Sequence, residues 1–186
     1  MAQKTELVKN LPLQVSDLAS GLILAGVYSL SFFVPFALGH PQWLVGTIVN
    51  VCLFLGAVYL PKRYFIALAV LPSLGVLARG VLFGSFTMFL VYFLPFIWIG
   101  NLLLVLTTKG LFSRFGYIFS AFSACVFKFL FLFIIANICF RYDVVPAFFL
   151  HSMGLNQLST ALDGGLVAFL VFKIYGQLNT RSKEIA

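Results

Sequence analysis

Three ionisable residues lie inside long apolar stretches of this sequence, and they are the side chains best placed to do chemistry there. They are Arg79, Lys128 and Asp163. Charged groups are costly to place within apolar helices, so those that occur there commonly mark binding sites, ion pathways or buried ion pairs. Two cations and one anion leave a net positive charge, which favours a ligand with a carboxylate or phosphate group.

Polar residues recur at helical spacing beside these charges. Asn156, Thr160 and Asp163 follow an i, i+4, i+7 pattern, which places them on one face of a helix. We therefore predict an outward-opening polar cavity lined by five residues: Arg79, Lys128, Asp163, Asn156 and Thr160. Asn50 and Asn101 are two further substrate-binding candidates, because each adds an amide group to another apolar segment.

The same charges also have a purely structural interpretation. A Lys128–Asp163 ion pair would fix the register of two helices, and Arg79 would extend its guanidinium toward the membrane surface. Exchanging the two charges between Lys128 and Asp163 separates the two interpretations, because an ion pair tolerates the exchange and a substrate contact does not.

The composition identifies the elements that must position these residues. The chain has 186 residues, of which 62% are hydrophobic and only 9% are charged. Soluble domains carry about 25% charged residues. So few charges cannot cover a water-facing surface, and the 23 Phe would form large exposed apolar patches. The sequence thus excludes a soluble enzyme, a nucleic-acid-binding protein and a disordered regulator, and predicts an integral membrane protein of one domain, residues 1–186.

A membrane-spanning helix needs about 20 mostly apolar residues. Six segments meet this requirement, which predicts an all-α bundle of six transmembrane helices. Their approximate bounds are 18–38, 43–60, 64–83, 86–106, 117–140 and 157–175. The connections between them are short, except for an outer segment from Arg141 to Asn156. That segment is either a capping element over an outward-facing cavity or an ordinary interfacial loop.

The basic residues predict the orientation of these helices. Nine of the twelve cations fall on one side of the predicted bundle: Lys4, Lys9, Lys62, Arg63, Lys109, Arg114, Lys173, Arg181 and Lys183. Arg79 and Arg141 fall toward the other side. Cytoplasmic loops are enriched in Lys and Arg, so both termini are expected in the cytoplasm and the protein in the cell membrane. The net charge of +7 is then a feature of topology, balanced by anionic lipid headgroups.

Motifs for catalysis and for metal or cofactor binding are absent from the sequence. It has no HExxH metalloprotease motif, no GxSxG nucleophile motif and no phosphate-binding loop. Its three cysteines have no ligand spacing and its two histidines stand alone. We therefore expect no enzymatic activity, no cofactor and no metal. The function that remains is the binding or the passage of a solute.

Four stretches of the sequence resemble a family of small bacterial membrane proteins. They are Val49-Asn50 with Leu53-Phe54, Leu71-Pro72-Ser73, Leu94 to Asn101, and Gln157 to Gly165. The family is that of the S components, the substrate-binding membrane subunits of energy-coupling factor transporters. The resemblance covers about 46–105 and 156–168, over a third of the chain.

The resemblance implies a six-helix fold, cytoplasmic termini and a solute site near the outer face. It also implies partners, namely a coupling membrane subunit and two cytoplasmic ATPases, and a substrate such as a vitamin or a vitamin precursor. S components present small residues of their first helix to the coupling subunit, and the matching positions here are Gly21, Ala25 and Ser29. These three residues are therefore the candidate docking site; the alternative, favoured by the residues alone, is that the small-residue stripe packs against another helix inside the bundle.

Two functions from different classes follow. The first is a substrate-capture subunit for uptake of a small, anionic organic solute. The second is a membrane scaffold or assembly factor whose polar residues only organise the bundle. An ion channel is less favoured, since no helix carries a continuous polar stripe.

Overall fold

The computed structural model describes residues 17–38, 40–83 and 87–185, and these residues form helices and turns without a strand. The predicted all-α fold is therefore confirmed for this part of the chain. We number the helices in chain order. They are α1 (Asp17–Ala37), α2 (Gln42–Tyr59), α3 (Phe65–Phe83), α4 (87–115), α5 (117–141), α6 (Phe148–Met153) and α7 (Leu155–Ile185). The segment 1–16 and the predicted turn at Gly84–Ser85 lie outside the described residues.

Several of these helices have the length and composition of membrane spans. In the described residues, four mainly helical segments are long and apolar enough to cross a bilayer: Gln42–Tyr59, Lys62–Gly80, Val91–Arg141 and Phe149–Tyr175. A shorter apolar stretch, Gly21–Ala37, belongs to α1. The segment Val91–Arg141 contains both α4 and α5. These helices indicate an integral membrane protein, as the composition predicts.

The boundary between α4 and α5 differs from the prediction. The sequence Thr107-Thr108-Lys109-Gly110 was expected to end the fourth span near 106, but it is helical. The hydroxyl of Thr108 donates to the Leu104 carbonyl at 2.7 Å, so this residue satisfies its polar group within the helix. The chain turns instead at Gly116, whose φ of 76° and ψ of 178° are incompatible with a helix. Glycine adopts this left-handed φ without the steric cost that a side chain imposes.

Helix α7 also exceeds its predicted bounds of 157–175. It begins at Leu155, directly after Gly154, and continues to Ile185. The additional C-terminal turns contain the polar sequence Gln177 to Glu184, including Arg181 and Lys183. An apolar-run search ends where the apolar residues end, but a helix can continue into water beyond that point.

Small residues allow the close helix contacts that fix the bundle. Helix α1 packs on α2 and α3, and α7 packs mainly on α2. At Gly75 on α3, an added Cβ would collide with the backbone carbonyl of Phe32 on α1. The main core is shared by α1, α2, α4, α5, α7 and the start of α3, with Leu53, Phe54 and Leu104 fully buried.

The outer connection between α5 and α7 packs against the bundle. It contains the short helix α6, and its residues Val145, Phe149 and Met153 form a second apolar cluster with Phe93, Leu132 and Ala136. The first of these last three lies on α4, and the other two lie on α5. The connection thus covers the N-terminal part of α4 and the C-terminal half of α5 through apolar contacts.

The contact at Gly75 predicts a specific loss of stability. Gly75→Ala should lower the free energy of unfolding by about 1–3 kcal/mol, because a backbone atom of α1 cannot move without separating the helices. Gly26→Ala is the matched control on α1, since nothing lies within 4 Å of its added Cβ. That change should be neutral or should stabilise the helix by up to about 1 kcal/mol. Thermal unfolding in detergent measures both, and equal midpoints for the two variants would contradict the helix contact.

Candidate functional site

Lys128 lies in the interior of the bundle, on the buried face of α5. Tyr117, Ala121, Ala124 and Lys128 share this face, and each is buried, with Lys128 only 3% exposed. Its Nζ donates a hydrogen bond to Oδ1 of Asn50 on α2 at 2.8 Å. The small alanines keep α5 close to its neighbours, so the long lysine side chain ends inside the protein rather than at its surface.

The amide of Asn50 continues a chain of hydrogen bonds from α5 through α2 to α7. Its Nδ2 donates to the Gly46 carbonyl at 2.9 Å and to the Thr160 hydroxyl at 3.4 Å. That hydroxyl in turn donates to the Asn156 carbonyl at 2.8 Å. We call Lys128, Asn50 and Thr160 the Lys128 cluster. The structure thus brings together three of the seven predicted site residues, with the backbone of a fourth beside them.

Two glycines place α2 and α7 close enough for this chain of bonds. A Cβ at Gly164 would lie 2.6 Å from the Cβ of Asn50 and 3.0 Å from the Thr47 carbonyl oxygen. A Cβ at Gly46 would lie 3.0–3.2 Å from the side-chain atoms of Thr160. Each glycine therefore faces a member of the Lys128 cluster across the helix contact. The sequence analysis did not single out Gly46, because a single glycine in an apolar run does not show which helix it faces.

The Lys128 ammonium has more N–H donors than the described residues around it have acceptors for them. An ammonium carries three N–H groups, and within the described part of the chain the Asn50 amide is its one hydrogen-bonding partner. No described carboxylate pairs with it. A buried cation without a counter-charge has a large desolvation cost. The ammonium therefore has N–H groups to offer to the oxygen atoms of an anionic group.

Asp163 does not join this cluster. It is exposed, whereas Thr160, Ala161, Gly164 and Ala168 on the same helix are buried. At 3.6 residues per turn, Asp163 points about 140° away from Ala168, which lies near the middle of the buried face. Neither the predicted shared cavity nor the structural Lys128–Asp163 pair is therefore formed between these two described residues.

Arg79 is also separate from the Lys128 cluster, at one end of α1. Its Nη1 donates to the carbonyls of Phe36 and Ala37 at 3.1 and 2.8 Å. These are the last two residues of α1, where helix carbonyls lack partners and carry partial negative charge. The guanidinium thus caps a helix C-terminus.

Lys109 performs the same function for α2, and the sequence analysis did not single it out. Its Nζ donates to the Val58 carbonyl in the last turn of that helix at 3.1 Å. Because its helix was expected to end at 106, this lysine was assigned to a loop. If the fourth helix had been predicted to continue past 106, Lys109 would have been placed within it and could have been considered as a capping residue.

Asn101 and the docking candidates complete the predicted set. The Nδ2 of Asn101 donates to the Ala69 carbonyl on α3 at 2.9 Å, three residues before Pro72. This hydrogen bond ties α4 to α3 and uses the Asn101 amide within the bundle. Gly21, Ala25 and Ser29 are all exposed on α1, which leaves them accessible to a partner.

A surface cavity of about 250 Å³ lies elsewhere, at the C-terminal end of α5. Its lining consists of Phe133, Ile134, Asn137, Ile138 and Arg141. None of these residues belongs to the predicted site. In the described residues, no group of three or more His, Cys, Asp or Glu side chains comes together to hold a metal ion.

Comparison of the chain with protein-family models, with curated proteins and with solved structures gave no match. The geometry of the Lys128 cluster is therefore the main basis for a functional assignment.

The hydrogen bond to Lys128 predicts a non-additive pair of substitutions. Asn50→Leu leaves the buried ammonium without its described acceptor and should cost about 3–5 kcal/mol of stability. The double variant Asn50→Leu/Lys128→Met removes the orphaned charge and should recover at least about 1 kcal/mol of that loss. Thermal unfolding in detergent gives the midpoints of the unmodified protein, of Asn50→Leu and of the double variant.

Asn137→Leu is the control for this pair. Asn137 also lies on a membrane-type helix, but its amide donates only to the Phe133 carbonyl of its own α5. Its replacement should change the midpoint little. If the double variant were less stable than Asn50→Leu, the bond between Lys128 and Asn50 would not be the interaction that stabilises the cluster.

Proposed function

We propose that this protein is a substrate-capture membrane subunit that binds a small anionic organic solute for uptake. The observation that carries the proposal is the Lys128 ammonium, which is 3% exposed and bonded to a neutral amide rather than to a carboxylate. In this proposal α1–α5 and α7 each cross the cell membrane, both termini are cytoplasmic, and the solute's carboxylate or phosphate binds the free N–H groups of Lys128.

The other embedded cations support this assignment by contrast. Arg79 and Lys109 each donate to carbonyls at the C-terminus of a neighbouring helix. A cation at that position stabilises the helix through its dipole, which is a sufficient structural reason for its presence. Lys128 lies in mid-helix and caps nothing. Its cost of burial is therefore better explained by a ligand that supplies the missing negative charge.

We further propose that the subunit is an S component of an energy-coupling factor transporter. The support is the sequence resemblance, whose stretches contain Asn50, Thr160 and Gly164 of the Lys128 contact region. The exposed positions Gly21, Ala25 and Ser29 would then dock the coupling subunit. Hydrolysis of ATP would occur on two partner ATPases, in agreement with the absence of a phosphate-binding loop from this sequence.

The second candidate function is a scaffold or assembly factor. The specific observation in its favour is the direct packing of Gly46 on Thr160 and of Gly164 on Asn50. Such contacts suit a polar cluster that holds α2, α5 and α7 in register. In that case the cluster would contribute stability but would bind no solute.

Ligand-induced stabilisation distinguishes the two functions. A panel of vitamin-sized carboxylic acids, each paired with its primary amide, is added to the purified protein in detergent. At 100 times its Kd, a bound acid contributes about 2.7 kcal/mol and raises the midpoint by roughly 5 °C or more. The matched amide should have little effect, because it lacks the charge that Lys128 binds.

Lys128→Met should abolish this stabilisation, and Lys109→Met is its matched control. The control removes the same ammonium from a helix cap, so it should cost about 1 kcal/mol of stability while the acid still raises the midpoint. An acid that stabilises Lys128→Met as strongly as the unmodified protein would refute the assigned role of Lys128. A panel of acids without any effect would favour the scaffold.

Purification from the native host tests the transporter partners separately. A tagged chain extracted in mild detergent should bring with it two P-loop ATPases and one further membrane protein, identified by mass spectrometry. Replacement of Ala25 by Trp at the exposed docking stripe should reduce their recovery, because helix contacts of this kind need small side chains. An intact complex that lacks ATPases would contradict the energy-coupling factor assignment but not the capture of a solute.

A further inference from the structure

Asp163 is a carboxylate on an apolar outer surface of the bundle. It is exposed, and around it on α7 lie the exposed side chains of Leu162, Leu166 and Val167, with Leu166 61% exposed. The one described polar neighbour on this face of α7 is Ser159, one turn toward the start of the helix, and its hydroxyl donates to the Asn156 carbonyl. Within the described residues, Asp163 has neither a hydrogen bond nor an ion pair with another side chain. An ionisable group in such surroundings is normally found facing the bundle interior or paired with another polar group.

The helix contacts place Asp163 well below the membrane surface. Its neighbour Gly164 packs directly on Asn50 of α2. Asn50 follows Trp43 by seven residues, which corresponds to about 10 Å along the helix. Trp43 is 60% exposed at the start of α2, the position at which tryptophan commonly marks the membrane interface. Asp163 is therefore about 10 Å inside the outer interface, at the same level as the Lys128 cluster but on the lipid side of α7.

The described cations of this chain do not neutralise Asp163. Arg79 and Lys109 bond to helix ends, and Lys128 bonds to Asn50 inside the bundle. Lys173 is exposed on α7 but lies ten residues further along, about 15 Å away on the helix axis.

A second copy of the chain does not supply the missing counter-charge for Asp163 either. In a two-fold interface a residue of one copy meets a different residue of the other, so a second copy would have to present a cation at the depth of Asp163. The described cation at that level, Lys128, is buried inside its own bundle, so the face fits a different protein.

We propose that the α7 surface around Asp163 docks a transmembrane helix of a different protein, and that this helix carries a Lys or Arg at the depth of Asp163. Leu162, Leu166 and Val167 supply the apolar contacts, and the ion pair sets the depth and rotation of the partner helix. If the proposed transport function holds, this partner is the coupling subunit. The carboxylate requires such a partner under the scaffold function as well, so the inference does not depend on solute binding.

Photo-crosslinking in native membranes tests the contact. A photoreactive benzoyl-phenylalanine replaces Leu166, one turn from Asp163, and a second set of cells carries it at Ile118 on α5, which is 68% exposed. We expect the Leu166 position to form an adduct with a heterologous membrane protein, on a peptide from a helix that contains Lys or Arg. Asp163→Asn should reduce this adduct by about tenfold, whereas Asp163→Glu should retain it and adducts at Ile118 should not change.

Charge exchange identifies the partner residue. Asp163→Lys should abolish the adduct, and replacement of the partner's cation by Asp in the same cells should restore it. The inference is overturned if the Leu166 adducts contain only a second copy of this chain or only lipid, or if the heterologous adduct persists undiminished in Asp163→Asn.

Asp163→Asn should leave the thermal midpoint of the purified chain unchanged, since the carboxylate contacts no described side chain. This measurement excludes misfolding as the cause of a lost adduct. Solute binding is measured on the purified chain without any partner, so a negative crosslinking result leaves that test of the proposed function intact.

Discussion

Burial of the Lys128 ammonium is the constraint to which the centre of this bundle is adapted. A charged amine in an apolar interior requires an acceptor, and the nearest one is a neutral amide, Asn50 Oδ1 at 2.8 Å. Asn50 reaches this position because Gly164 allows the α7 backbone to approach α2 at the same level. The hydrogen bond from the amide to Thr160 then fixes its orientation, with oxygen toward the lysine. The Lys128 cluster therefore depends on the close helix contact at Gly164.

The protein compensates its embedded cations with backbone and amide oxygens because it has few carboxylates. The sequence contains 5 Asp and Glu against 12 Lys and Arg. Arg79 and Lys109 use the free carbonyls at the ends of α1 and α2, and in doing so each ties one helix to another. Lys128 has no helix end within reach. This difference separates a cation whose role is structural from one that is available to a ligand.

Much of the fold follows from the sequence, because apolar runs of membrane length leave little choice of secondary structure. The all-helical fold and the approximate positions of its long apolar helices could be predicted, although the C-terminal ends of α4 and α7 lie beyond the predicted bounds. The inward face of α7 could not be predicted. Thr160 and Asp163 share a polar stripe, and helical spacing alone does not show which edge of a stripe faces inward. The packing of Ala161, Gly164 and Ala168 decides this, and it turns Asp163 outward.

The closed packing around Lys128 constrains how a solute would reach it under the proposed function. Helices α2 and α7 meet without space between Gly46 and Thr160, so they cannot part without breaking the cluster. Helix α5 is held at its N-terminal end by the Tyr117 hydroxyl, which donates to the Gly165 carbonyl at 2.8 Å. Its C-terminal half is held instead by apolar contacts of Leu132 and Ala136 with the connection between α5 and α7. Apolar contacts have no fixed direction and can slide, whereas the hydrogen bond of Tyr117 defines a pivot. An outward movement of α5 about that pivot, together with α6, would therefore open Lys128 to the outside. It would break the hydrogen bond from Lys128 to Asn50 but leave the contact between α2 and α7 intact.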